Sequence, residues 1–172
     1  MAAMKHILHI VTGAPGAGKT TAVEAFLRLR SDFIALDIDW LIDSASALAG
    51  RDIHTDASTW KPYGALWFDV LGAVVRNGST PVFFAPTDLA DIEKHGLPAW
   101  CSGVEWLLLD CDDDTRRGRL RQRPGWTDAA LEEALADAAV LRADTPRRVD
   151  TGTMTPEGVA REILRWLVEQ GR

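Results

Sequence analysis

Gly13-Ala14-Pro15-Gly16-Ala17-Gly18-Lys19-Thr20 spells G-x-x-x-x-G-K-T, and with its flanks it constrains the fold more than any other stretch. Ahead of it, Ile7-Leu8-His9-Ile10-Val11 is a short, mostly apolar run of the kind a buried parallel strand shows. Behind it, Thr20 to Arg30 carries Ala22, Val23, Phe26 and Leu29 at helical spacing. Strand, glycine loop and helix together make a P-loop. Successive backbone N–H groups surround a polyphosphate, glycines supply the dihedrals and the room, and the helix N-terminus adds its positive end. Gly13 to Thr21 is therefore the expected nucleotide cradle. Lys19 reaches the β- and γ-phosphates, and the Thr20 hydroxyl ligates Mg²⁺. ATP and Mg²⁺ are the expected cofactors.

The 172 residues suit one domain spanning 1–172. A formal net charge of −6 argues against a sequence-independent grip on nucleic acid. No apolar run is long enough to span a membrane. Cys101 and Cys111 lack metal-ligand spacing and fit a reducing, cytoplasmic compartment. Residues 5–11 read as a strand, not as a secretion signal. The expected state is a monomer or homodimer.

Along the chain, strands alternate with helices. Phe33 to Leu36 reads as a second strand, ending in Asp37-x-Asp39, and a helical stretch runs from Trp40 to about Leu48. A mixed polar loop covers 50–62. A helix from Tyr63 to Arg76 is expected to bury Leu66, Val70, Ala73 and Val74. Pro81 to Ala85 and Val104 to Leu109 read as the third and fourth strands, with a short helix from Leu89 between them. Asp112 to Thr115 opens a helix toward Arg123, broken by Pro124-Gly125. Thr127-Asp128 caps another, with Leu131, Leu135, Ala138 and Leu141 on one face. Arg148 to Asp150 is a short fifth strand, and Thr155-Pro156-Glu157 starts the last helix. The alternation predicts an α/β domain with a parallel sheet covered on both faces.

Three groups of residues carry the expected chemistry. Asp37 and Asp39 lie at a strand's carboxyl end, where parallel sheets bind ligands. Asp39 is the expected base toward a substrate hydroxyl, and Asp37 the expected metal partner of Thr20. Arg116, Arg117, Arg119, Arg121 and Arg123 crowd one stretch, and guanidinium groups stabilise a phosphoryl in flight or stack on adenine. Arg119 and Arg123, nearest the Pro124-Gly125 break, are the expected functional pair, in a lid of about 116–128. Trp40, Trp60 and Trp67, with Tyr63 and Phe68, form a candidate stacking wall for a ring-bearing acceptor, in a substrate-binding segment of about 40–77. Trp106 and Trp166 read as structural, and His6, His9, His54 and His95 receive no role.

In their order, Gly13–Thr20, Leu36–Asp43, Leu107–Cys111 with Arg116–Arg123, and Val149–Thr151 before Thr155-Pro156-Glu157 resemble the P-loop small-molecule kinases. That group includes nucleoside and nucleoside-monophosphate kinases, shikimate and gluconate kinases, and chloramphenicol phosphotransferase. The resemblance implies a three-layer P-loop fold with a five-stranded parallel sheet in order 2-3-1-4-5 and a short arginine-bearing lid. It implies a catalytic role for Asp39, and it places the loop 151–155, with Thr153, beside the adenine. The family's third strand often ends in a metal-binding acid, where this chain has Ala85. Either Asp37 takes that role or Asp88 reaches back. Arg51 and Arg76 are the only arginines between residues 31 and 115, which favours a neutral acceptor over a monophosphate. The implied activity is transfer of the ATP γ-phosphoryl group to a hydroxyl of a small molecule of nucleoside or nucleoside-like antibiotic type. The alternatives are a nucleoside-monophosphate kinase and a nucleotide-binding regulatory module.

Overall fold

Five strands lie parallel in the order β2-β3-β1-β4-β5. They are β1 (His6–Thr12), β2 (Phe33–Asp37), β3 (Thr80–Phe84), β4 (Cys101–Asp110) and β5 (Arg148–Asp150). The computed structural model describes residues 6–29 and 31–170. Lys5 and Arg30, where the sequence places one end of the first strand and of the first helix, lie outside them. The helices are α1 (Lys19–Leu27), α2 (Ile42–Ala49), α3 (Trp60–Arg76), α4 (Leu89–His95), α5 (Asp113–Arg121), α6 (Asp128–Asp144) and α7 (Pro156–Gln170).

The alternation along β1 sorts the layers. Leu8 and Ile10 point into a core shared with Tyr63, Trp67 and Leu71 of α3 and Ala45 of α2. Val11 points the other way, into a core built with Val23 and Phe26 of α1 and Ile163, Trp166 and Leu167 of α7. Leu108 of β4 meets Ala138 and Leu141 of α6. Both faces of the sheet are therefore covered, as its apolar strands require. Among the described residues, no helix is long and apolar enough to cross a membrane.

The boundaries differ from the sequence reading in instructive ways. Helix α1 stops at Leu27, because the N–H groups of Arg28 and Leu29 tighten onto Ala25 O and Phe26 O. Strand β4 begins at Cys101, because its irregular register opposite His6 and Ile7 takes in residues that read as loop. Helix α3 begins at Trp60, with Pro62 in its first turn, where no intrahelical N–H is needed. Its buried row is Tyr63, Trp67, Leu71, Gly72 and Val75, not the Leu66-centred face expected. Leu66 is exposed, because the indole of Trp67 takes the place against the sheet, 5.1 Å from the Phe83 ring.

Candidate nucleotide and phosphoryl-transfer site

All five strands point their carboxyl ends to one edge, so Gly13, Asp37, Ala85, Asp110 and Thr151 gather there. The glycine loop leaves β1 and turns through Gly16 (φ 79°) and Gly18 (φ 89°), both left-handed positions. Gly13 lies so close beneath β4 that a Cβ on it would stand 2.7 Å from Leu109 O. The loop N–H groups then run into the start of α1, where Ala22 N–H donates to Gly18 O at 2.9 Å.

Lys19 curls back over this loop and donates to Gly13 O. Burial lowers its pKa to about 8, against the pull of the Asp37 and Asp39 carboxylates, and the Arg116 and Arg123 charges lower it further. Thr20 and Thr21 are exposed at the helix start, beside the loop.

Asp37 closes β2 and is 5 % exposed. Burial raises its pKa, opposed by the Asp39 N–H that its Oδ1 accepts at 2.9 Å. Asp39 follows on a 3₁₀ turn, Ile38–Leu41, and faces solvent. One strand, β3, lies between β2 and β1, so the two stand two strand spacings apart, roughly 10 Å across the sheet. The end of β3 offers no acid, since Ala85 is buried there. Asp88 caps α4, accepting from Asp91 N–H at 2.8 Å. The loop between them is tied to β1 by the Thr12 hydroxyl, which donates to Thr87 O at 2.6 Å.

On the other side of the P-loop stand the arginines. Arg116 is 0 % exposed; it donates to Pro15 O and to Asp110 Oδ1, both at 2.6 Å. Arg142 from α6 takes Asp110 Oδ2 at 2.7 Å. Arg119 donates to Gly16 O at 3.1 Å, to the Thr151 hydroxyl at 3.0 Å and to Thr151 O at 2.7 Å. The Thr151 hydroxyl in turn lies 2.8 Å from Ala17 O and 3.0 Å from Asp110 O. A cleft of about 490 Å³ opens here, lined by Gly16, Gly18, Arg119, Arg123, Thr151 and Met154 among others.

The structure brings together Gly13 to Thr21, Asp37, Asp39, Arg119 and Arg123 at one edge. It does not place every expected residue there. Trp67 is 2 % exposed and wedged between Tyr63 and Phe83, so it offers no face to a ring. Trp40 and Trp60 are 48 % and 59 % exposed. Thr153 turns to Asp150, to which its hydroxyl donates at 3.1 Å, and Thr151 and Met154 are the residues of that loop that line the cleft. The Arg116 end of the stretch read as a lid is helix α5, bonded to the P-loop, and only 122–127 separates α5 from α6. The sequence reading gave Asp110 a place at the end of the fourth strand but no role, and it passed over Arg142. Asp110 closes an apolar strand as Asp37 does, which was its one available signal, whereas Arg142 sits on a helix with nothing local to mark it.

No protein-family model and no curated protein matches the chain. Solved structures do. The tunicamycin resistance protein of Deinococcus radiodurans superposes with a TM-score of 0.66 at 18% identity, over 94% of this chain and 96% of that one. A gluconokinase from Sinorhizobium meliloti gives 0.63 at 19% identity, over 97% and 94%. A sugar kinase from a Janibacter species gives 0.60 at 22% identity, over 95% of each chain. At these identities the likeness is one of fold: this chain has the three-layer fold of the P-loop small-molecule kinases.

Proposed function

We propose that this chain transfers the γ-phosphoryl group of ATP to a hydroxyl of a small molecule. The observation that carries the reading is that the glycine loop after β1 and the Asp37-x-Asp39 pair after β2 leave the same edge of the sheet, with Asp39 exposed. A phosphate cradle alone binds nucleotide. A cradle facing an exposed aspartate can also take a proton from an attacking hydroxyl.

The residues fit the implied cofactors. The left-handed glycines and the close approach at Gly13 leave backbone N–H groups as the lining of the loop. Thr20 and Asp37 are the oxygen donors that would hold Mg²⁺, and Asp88 is committed to capping α4. Bound metal and triphosphate supply an activated phosphoryl group with part of its charge neutralised. The chain's own residues do the rest. Lys19 and Arg123 place positive charge beside the loop, and Arg119 fixes the loop to the wall of the cleft. Asp39 holds the acceptor hydroxyl and receives its proton.

A neutral acceptor, of nucleoside or nucleoside-like antibiotic type, suits the other side. Arg51 is paired with Asp56 at 3.2 Å. Arg76 lies at the far end of α3, roughly 20 Å along the helix from Tyr63. Neither is available to a substrate phosphate beside Asp39, while Trp40 and Trp60 present exposed rings. Two of the structural neighbours are kinases named for sugars or gluconate, which are hydroxyl-bearing small molecules. The test is ADP release from ATP against a panel of nucleosides, antibiotics, sugars and nucleoside monophosphates. Release dependent on a hydroxyl acceptor supports the reading. Turnover of monophosphates alone replaces it with a nucleoside-monophosphate kinase, and silence across the panel replaces it with a regulatory nucleotide-binding module.

A further inference from the structure

The carbonyl of Ile38 lies in the chain between the two aspartates, and it accepts two side-chain hydrogen bonds from α3. The Tyr63 hydroxyl donates to Ile38 O, and Trp67 Nε1–H donates to the same oxygen at 3.1 Å. The two donors stand one helical turn apart, their rings edge to face with centroids 6.5 Å apart. Trp67 is fixed in turn by Phe83 of β3. Neither donor is free to swing away, since Tyr63 and Trp67 are both buried.

The amide of that peptide unit belongs to Asp39. Ile38 C=O and Asp39 N–H lie in one plane and point in opposite directions. The N–H donates to Asp37 Oδ1 at 2.9 Å. One peptide group is thus gripped at both ends, by α3 at the oxygen and by the Asp37 carboxylate at the nitrogen. Two donors on its oxygen polarise the amide and strengthen it as a donor in turn. The grip also sets the plane from which the Asp39 side chain departs.

We propose that Tyr63 and Trp67 are positioning residues, which orient the Asp37-x-Asp39 pair by clamping the Ile38–Asp39 peptide. The catalytic consequence rests on the phosphotransfer reading above; the clamp itself does not. This gives Trp67 an occupation different from a stacking wall. It also makes α3 part of the site without contact between its buried row and any acceptor.

The test compares Tyr63→Phe, which removes one donor and keeps the ring, with Val75→Ala, which loosens the same helix away from the clamp. The first readout is amide hydrogen exchange by NMR. In Y63F the Asp39 amide exchanges roughly five- to tenfold faster, the loss expected for one buried hydrogen bond, while the Leu36 and Phe84 amides keep their rates. In V75A exchange rises along α3 without singling out Asp39. The second readout uses whichever acceptor is turned over. There, kcat falls at least roughly fivefold in Y63F while ATP affinity holds, and V75A leaves the turnover of the folded enzyme unchanged. An unchanged Asp39 amide in Y63F, a uniform rise across the sheet, or an unaltered kcat overturns the proposal. Absence of any acceptor turnover overturns the phosphotransferase reading instead, and the Asp39 amide then decides the clamp alone.

Discussion

Lys19 is the residue whose chemistry is most sharply set by its surroundings. Its pKa is pushed from 10.5 down to about 8, chiefly by burial. The folded chain therefore releases this proton before the unfolded chain does, and the Lys19 contribution to stability grows as pH rises from about 8 toward 10.5. A bound polyphosphate reverses the shift, because negative charge favours the ammonium form. Nucleotide binding at pH 8.5–9 is thus accompanied by proton uptake, read by calorimetry in two buffers of different ionisation enthalpy (about pH 8.5–9 is the window that the shift sets). Lys19→Met abolishes the uptake. Asp39→Asn behaves differently. It keeps ATP affinity, since Asp39 is exposed and outside the loop, and it loses roughly 10²–10⁴ in phosphotransfer rate, measured as acceptor-dependent ADP release. The motif residues were legible in the sequence because their chemistry depends on local spacing. Tyr63 and Trp67 were legible only as aromatic bulk, because their role depends on a carbonyl 25 and 29 positions earlier in the chain.

At the scale of elements, α5 is the surprise. The run of arginines reads as a lid with Arg119 and Arg123 functional, yet Arg116 is fully buried, holding Pro15 O and Asp110. Arg116→Met leaves Asp110 paired with Arg142 alone and strips a donor from the P-loop. The expected cost is about 3 kcal/mol, at the low end for breaking a buried ion pair, read from the urea midpoint. Weakened nucleotide binding accompanies it, because the Pro15 carbonyl is released. Arg117→Met, whose partner Glu132 is exposed, changes stability by less than about 1 kcal/mol. Strands β1 to β3 were read from the sequence nearly whole, since continuous apolar runs of that length have few alternatives in a parallel sheet, whereas the first residues of β4, Cys101 to Gly103, read as loop. The buried face of α3 was not. Its sequence offers apolar residues around most of the helix, and only the sheet's preference for the large ring of Trp67 decides which side turns inward.

At the scale of the whole molecule, the P-loop divides the active edge in two. The proposed donor side is assembled from distant parts of the chain: the loop after β1, Arg116 and Arg119 on α5, and Thr151 after β5. On the proposed reading a bound nucleotide cross-links these parts, and the expected outcome is a raised melting temperature. At a hundred times Kd the gain is about 2.7 kcal/mol, or roughly 5–10 °C for a chain of this size. Arg119→Ala reduces that gain by weakening the seam between loop and cleft, whereas D39N leaves it intact; a thermal melt with and without ATP separates them.

The acceptor side has the opposite organisation. Everything proposed for it from Asp39 through Trp60 and α3 lies on one uninterrupted stretch, 38–79, that leaves the sheet at β2 and returns at the neighbouring strand β3. Such a stretch behaves as a cassette. Its two ends are fixed in adjacent strands, so its interior can be exchanged or redrawn without disturbing the nucleotide half. A change of acceptor then needs no new fold. It needs a replacement that brings an apolar face for the sheet and two donors for the carbonyl between its aspartates.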